Sequence, residues 1–201
     1  ARPEWILLLA VSAGLYLWGL SKNGLANEYY AATVRSMASS WHNFLYGSFD
    51  MGGVMTVDKP PLAFWVQALF VKIFGYSGVS MLVPQALMGV AALTYNIVDR
   101  RFGRWPALAG GATLALTPMT VAISRHNNPD ALLVLLSVLA VWFVLRALED
   151  GRTRWLIFAG IAVGAAFTTK MGAALLVVPG LAAAYLWAAP VPRSRALVQL
   201  L

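Results

Sequence analysis

The 201-residue sequence contains no cysteine and only 8 acidic residues. Without cysteine, disulfide frameworks, thiolate metal sites and cysteine nucleophiles are excluded, and the redox compartment is left open. Charged residues of both signs make up only 11%, whereas 60% are hydrophobic and the mean hydropathy is +0.70. That balance lies outside the range of a soluble domain and predicts a membrane protein. The net charge of +7 could suit a nucleic-acid partner. The Lys and Arg residues, however, fall in short groups between apolar runs rather than on one basic face, so no nucleic acid is expected. The first apolar run ends without a small-residue cleavage site, and the chain opens on Ala1. It is read as a retained helix, and the chain as a processed form or a piece of a longer protein.

A bilayer core takes roughly 20 mostly apolar residues per helix. Runs approaching that length occupy residues 5–21, 79–98, 105–123, 130–147, 154–169 and 172–189. They predict an all-α, polytopic transmembrane helix bundle of about six spans. "DRRFGRW", "RALEDGRTRW" and "PRSR" carry two or three arginines each, which places them and the N-terminus in the cytoplasm. One long outer loop, 22–78, and the short outer turns "SRHNNPD" and "TTKMG" follow from that assignment. Glu28, Asp50, Asp58 and Asp130 then all lie on the outer side, level with Lys59, Arg125, His126 and Lys170. Ionisable groups at a membrane face are costly unless paired or wetted, so their gathering predicts a polar cavity open to that side.

Within the long loop, Tyr30, Val34, Met37 and Trp41 recur at helical spacing opposite Glu28, Arg35, Ser39 and His42. This pattern predicts an amphipathic helix over 28–42, lying on the membrane surface. A second, nearly all-apolar helix opens at "KPPL", where the prolines suit a first turn. It is expected to lie against other helices or along the interface. Its N-terminus, with Lys59, would attract a phosphate; equally, Asp58 reads as a helix cap and Lys59 as a lipid-headgroup contact. In "NNPD", Asn128 as N-cap, Pro129 and Asp130 form an ordinary helix start. Lys170 stands between two apolar runs with no acid nearby in sequence, and is either a functional cation or a snorkelling one.

The order of "ANEYYA", "DKPPLAFW", "NNPDALL" and "AFTTKMGAALLVVP" resembles the integral-membrane glycosyltransferases of the C-type fold. The likeness is to the family-39-like branch that includes the protein O-mannosyltransferases and the bacterial aminoarabinose transferases. The resemblance implies sugar transfer from a polyprenyl-phosphate carrier to an acceptor glycan, lipid or protein hydroxyl on the outer face, with inversion. It implies Glu28, Asp58 and Asp130 as the catalytic acids, with Glu28 as the base. Lys59 and Lys170 are then the donor-phosphate ligands, Asp58 is the candidate ligand for a divalent metal that some members use, and Arg125, a cation at the same level, is expected on charge to join the lysines at the phosphate. No other cofactor is expected. Many relatives carry Asp-Glu or Asp in the first motif where this chain has "NEYY", so Glu28 acts without an adjacent acid. Family members carry about twice as many spans and an outer soluble domain, so residues 1–201 are read as the N-terminal transmembrane portion. A transporter or flippase half for a lipid-linked or anionic substrate, or a non-catalytic lipid-binding subunit, is the alternative; nearly charge-free span interiors speak against a translocation path.

Overall fold

The computed structural model describes residues 3–89 and 91–200, and the regular elements among them are helical. They are α1 (Glu4–Leu17), α2 (Glu28–Ser39), α3 (Trp41–Tyr46), α4 (Leu62–Phe74), α5 (Gly78–Leu87), α6 (Ala91–Phe102), α7 (Arg104–Leu116), α8 (Pro118–Ser124), α9 (Asp130–Asp150), α10 (Thr153–Lys170), α11 (Val178–Ala188) and α12 (Arg193–Leu200). Short 3₁₀ segments run over Leu20–Asn23 and Met171–Val177.

Among the described residues, Asp130–Asp150 and Thr153–Ala188 are long and apolar enough to cross a membrane, and α7 with α8 makes a third if counted as one bent span. Helix α1, α4 and α5 are apolar but shorter. Helix length alone therefore gives two or three spans where the apolar runs predict six, and each difference has a local cause. Helix α1 stops at Leu17 because Gly19 turns left-handed, at φ +62°. The run at 79–98 is divided between α5, which carries Pro84, and α6; residue 90 between them lies outside the described residues. The run at 105–123 bends by 58° between α7 and α8. Pro118 lacks an N–H and disfavours helical geometry in the residue before it, and Thr117 is accordingly extended, at ψ 121°.

The 36-residue stretch Thr153–Ala188 would be roughly 54 Å long if straight, nearly twice a bilayer core. It is not straight. The Tyr185 hydroxyl donates to Gln199 (2.8 Å), and Gln199 donates to the Gly151 carbonyl (3.1 Å) and to Thr153 (2.9 Å). The end of α11 has therefore returned beside the start of α10, with the reversal at Lys170–Met171. Tyr185 packs there with Val144 of α9, Ala159 of α10 and Ala196 of α12. At the same end Glu149 binds Arg100 and Arg146, and the guanidinium groups of Arg146 and Arg154 lie over the Trp155 ring.

The 22–78 segment packs onto the bundle rather than floating on its surface. Val34 and Met37 of α2 are fully buried with Phe64, Ala68 and Val71 of α4 and Met81 of α5. The apolar face expected to meet lipid instead meets α4. The predicted single helix over 28–42 also breaks, because the Ser40 side chain caps a new helix, α3, by accepting from the Asn43 N–H. Trp41 lands on that second helix, largely exposed, under the Lys72 ammonium.

Helix α5 holds the start of this segment by backbone contact. A Cβ on Gly78 would stand 1.8 Å from the Gly24 carbonyl oxygen, so one backbone or the other must move to admit it. Gly78→Ala is therefore expected to lower the unfolding free energy by about 1–3 kcal/mol or more. Gly164→Ala on α10, where the added methyl meets nothing within 4 Å, should leave it unchanged or raise it. Thermal unfolding of the purified protein in detergent compares the two, and equal stability of both variants would refute the Gly78–Gly24 contact.

Candidate active site

Helix α9 begins and α10 ends at one end of the bundle, and their terminal residues meet. Asp130, the first residue of α9, forms an ion pair with Lys170, the last of α10, and both side chains are partly exposed. Each charge sits at the helix end whose dipole favours it. Lys170, without an acidic neighbour in sequence, finds one 40 positions away.

Asp58 and Lys59 form a second ion pair beside the first. The expected cap is absent: α4 starts at Leu62 with Pro61 before it, and no side chain caps its N-terminus. Instead the Asp58 N–H donates to the Tyr29 hydroxyl (3.3 Å), and the Asp58 carboxylate accepts from Lys59. That hydrogen bond holds the Lys59 ammonium above the usual lysine range. The two residues line a cavity of about 240 Å³ together with Tyr46, Thr56, Pro61 and Met171. Since Met171 follows Lys170, one cavity adjoins both lysine-bearing segments.

Glu28 is carried on a third segment, as the first residue of α2. Its neighbour Asn27 is the N-cap, accepting from the Tyr30 N–H (3.2 Å). The Glu28 side chain is exposed, and it forms no hydrogen bond or ion pair among the described residues. The fully buried Asn127 joins this strand of chain to the α9 start: its Oδ1 accepts from the Asn27 N–H (2.7 Å) and its Nδ2 donates to the Asn27 carbonyl (2.9 Å). The Tyr30 phenol reports the crowding. Burial first, then the charge of Asp58, pushes its pKa up; Asp130 adds to the rise and Lys59 opposes it. Acids from two distant segments thus act on one hydroxyl.

The backbone is strained at both flanks. Ala26 (φ +57°) and Met171 (φ +47°) are the non-glycine residues with left-handed φ among the described residues. They lie two residues before Glu28 and one after Lys170. Such conformations cost about 1–3 kcal/mol each and persist where surrounding structure imposes them, commonly at functional sites.

Two expected members of the outer group have other work. Arg125 donates to the carbonyls of Leu15 (2.8 Å), Tyr16 (3.2 Å) and Trp18 (2.7 Å), closing the C-terminal end of α1. All three bonds come from Nη1, so at least this nitrogen of the guanidinium is turned to backbone oxygens. Asp50 accepts from the N–H groups of Met55 and Val54, which hold its carboxyl below the usual range and stiffen the 47–57 turn. No group of three His, Asp or Glu side chains comes together for a metal ion among the described residues. Among the described residues Asp58 has its carboxylate on Lys59 and belongs to no such group.

Tyr29, Asn127 and Met171 are the site residues that sequence reasoning missed. "NEYY" drew attention to its acid alone, and in "NNPD" Asn128 was expected as the N-cap. Helix α9 instead begins one residue later than the capping rule gives, and Asn128 Oδ1 accepts from the Asp130 N–H (3.0 Å). That leaves Asn127, the first of the pair, facing the other way, onto residue 27.

Comparison with known proteins places this arrangement. Residues 58–199 match the family described as dolichyl-phosphate-mannose-protein mannosyltransferase. The matched stretch opens on Asp58 and takes in Lys59, Asp130 and Lys170. Two candidate mannosyltransferases of Bacillus subtilis (strain 168), YkcB and YycA, are each 41% identical to the chain, over 97% and 98% of its length. An uncharacterised protein of Aquifex aeolicus (strain VF5) is 28% identical over 91% of the chain. The chain spans 28%, 29% and 37% of these relatives' own lengths, respectively. No solved structure matches it.

Proposed function

Because the chain belongs to the dolichyl-phosphate-mannose-protein mannosyltransferase family, we propose that it forms the membrane-embedded donor half of a polyprenyl-phosphate-sugar-dependent glycosyltransferase. Its apolar helices cross the bilayer six times: α1, α5 with α6, α7 with α8, α9, α10, and the return through α11. The N-terminus and the arginine-rich end lie in the cytoplasm, and the acid-lysine end faces outward, where the acceptor hydroxyl belongs to a glycan, lipid or protein.

The observation that carries this reading is the unequal pairing of three acids. Asp58 and Asp130 are each bound to a lysine, whereas Glu28 has no cation among the described residues. An acid held by a lysine orients that cation; an unpaired carboxylate keeps its lone pairs for a proton. In the reaction the acceptor oxygen forms a bond to the anomeric carbon as the bond from that carbon to the phosphate oxygen breaks. The phosphate leaves with the bonding electrons, Glu28 takes the hydroxyl proton, and inversion follows from displacement on the opposite face. Lys59 and Lys170 neutralise the phosphate in a setting drier than bulk water, where charge-assisted hydrogen bonds are strongest. Asp58 and Asp130 hold the lysines until the donor arrives.

These 201 residues carry no cysteine, so single cysteines placed in them can be labelled in full-length protein, in intact cells or sealed vesicles, once any cysteine elsewhere in that protein is replaced. Ala32→Cys should react with a membrane-impermeant maleimide from outside, and Ser194→Cys should not. Met171→Cys, on the cavity wall, should react from outside about tenfold more slowly once polyprenyl phosphate fills the site, the mass-action result at ten times Kd. Reversed sidedness, or reaction at residue 171 indifferent to polyprenyl phosphate, would overturn the assignment of this cavity to the donor.

A further inference from the structure

Glu28 has no side-chain partner among the described residues, so its place is set by the backbone that carries it. That backbone is held at residue 27 by Asn127 through two hydrogen bonds of 2.7 and 2.9 Å. Only a side-chain amide offers an acceptor and a donor side by side to the N–H and C=O of one residue; a carboxylate lacks the donor and an aliphatic chain lacks both. The two bonds also fix which way the amide faces. The residue before the clamped one is Ala26, at φ +57°, a conformation the chain would leave if released.

The clamp is itself anchored on three sides. The Asn128 carbonyl accepts from Gln85 of α5 (3.0 Å), the Arg125 carbonyl accepts from Asn23 (2.9 Å), and the Arg125 guanidinium sits on the last carbonyls of α1. Three residues after Asn127 comes Asp130, which holds Lys170. A single rigid turn, 125–130, therefore determines where the base and the phosphate lysine stand relative to each other.

We propose that Asn127 is a positioning residue for sugar transfer, setting Glu28 at the distance from Lys170 that the acceptor hydroxyl requires. This rests on the reading of Glu28 as the base. Asn127 touches no reacting atom and acts through residue 27. Displacement of a catalytic group by about 1 Å costs on the order of 10²-fold in rate.

The test uses the full-length protein in nanodiscs, with a polyprenyl-phosphate sugar as donor. Asn127→Ala should lower transfer by about 10²-fold while donor affinity stays within about twofold. In a Glu28→Gln background the same substitution should cost less than about threefold, because a group acting through Glu28 has nothing left to position. Amide hydrogen exchange at residue 27 should rise by about tenfold or more, with α4 and α9 unchanged. Asn127→Asp, of nearly equal volume, keeps one of the two bonds and should fall between; it carries the comparison if the alanine variant does not fold. Equal losses in both backgrounds, or wild-type rates in Asn127→Ala, would reduce the contact to a structural one. A wild type that transfers no sugar overturns the glycosyltransferase reading and the role of Glu28 with it. Unchanged exchange at residue 27 overturns the clamp alone.

Discussion

Full-length protein carrying Glu28→Gln is expected to transfer sugar about 10²- to 10⁴-fold more slowly than wild type, with donor binding intact. The size of the effect is that of general-base catalysis. Glutamine preserves the length and hydrogen-bonding reach of the side chain but cannot take a proton from the acceptor hydroxyl. Because Glu28 is exposed at the first turn of α2, its replacement removes no hydrogen bond or ion pair among the described residues. A loss of folded protein would therefore count against the catalytic role, as would an unchanged rate. Asp58→Asn and Asp130→Asn provide the contrast: each frees a lysine from its carboxylate without removing the base. If either abolishes transfer while Glu28→Gln does not, the base belongs to that acid.

Lys170→Ala is the second large effect, and it should appear in binding as well as in rate. The substitution takes a cation from the leaving phosphate, which at comparable electrostatic sites costs about 10² to 10³ in kcat. It also leaves Asp130 unpaired where the phosphate must sit, so donor affinity falls through like-charge repulsion. The double variant Lys170→Ala with Asp130→Ala separates the two causes. It should recover most of the donor affinity and little of the rate. Recovery of both, or affinity unaffected in the single variant, would return Lys170 to a lysine that merely reaches for water. Lys59→Ala should weaken donor binding without a matching recovery in any Asp130 variant, since its partner is Asp58.

How much of this is legible in the sequence follows from what each feature depends on. The grouping of acids and lysines at one end could be read because hydropathy and arginine-rich loops order the chain along one axis. The ion pair between Asp130 and Lys170 could not, because it joins the ends of two helices that meet only through a hairpin. The acids' unequal pairing was invisible for the same reason. Helix breaks divide similarly. Pro118 announces the α7–α8 bend, but the division between α2 and α3 hangs on Ser40 turning its hydroxyl to the Asn43 N–H, against a continuous amphipathic pattern. Arg125 has a second task that its charge and level did not suggest: its Nη1 holds the carbonyl end of α1. Asn127 carried no charge and stood beside a better N-cap candidate, so composition and capping rules both passed over it.

Cleavage of a lipid-linked sugar phosphate at this site is read out by ³¹P NMR of the donor. Full-length protein in nanodiscs is supplied with a polyprenyl-phosphate mannose and with envelope material of the parent cell as acceptor source. The expected result is steady conversion of the donor's phosphodiester resonance to that of polyprenyl monophosphate, with mannose appearing on the acceptor fraction and both changes suppressed by Glu28→Gln. A phosphodiester resonance that broadens on binding yet never converts, in wild type as in the variant, would contradict this cleavage and leave a lipid-binding protein in place of a transferase.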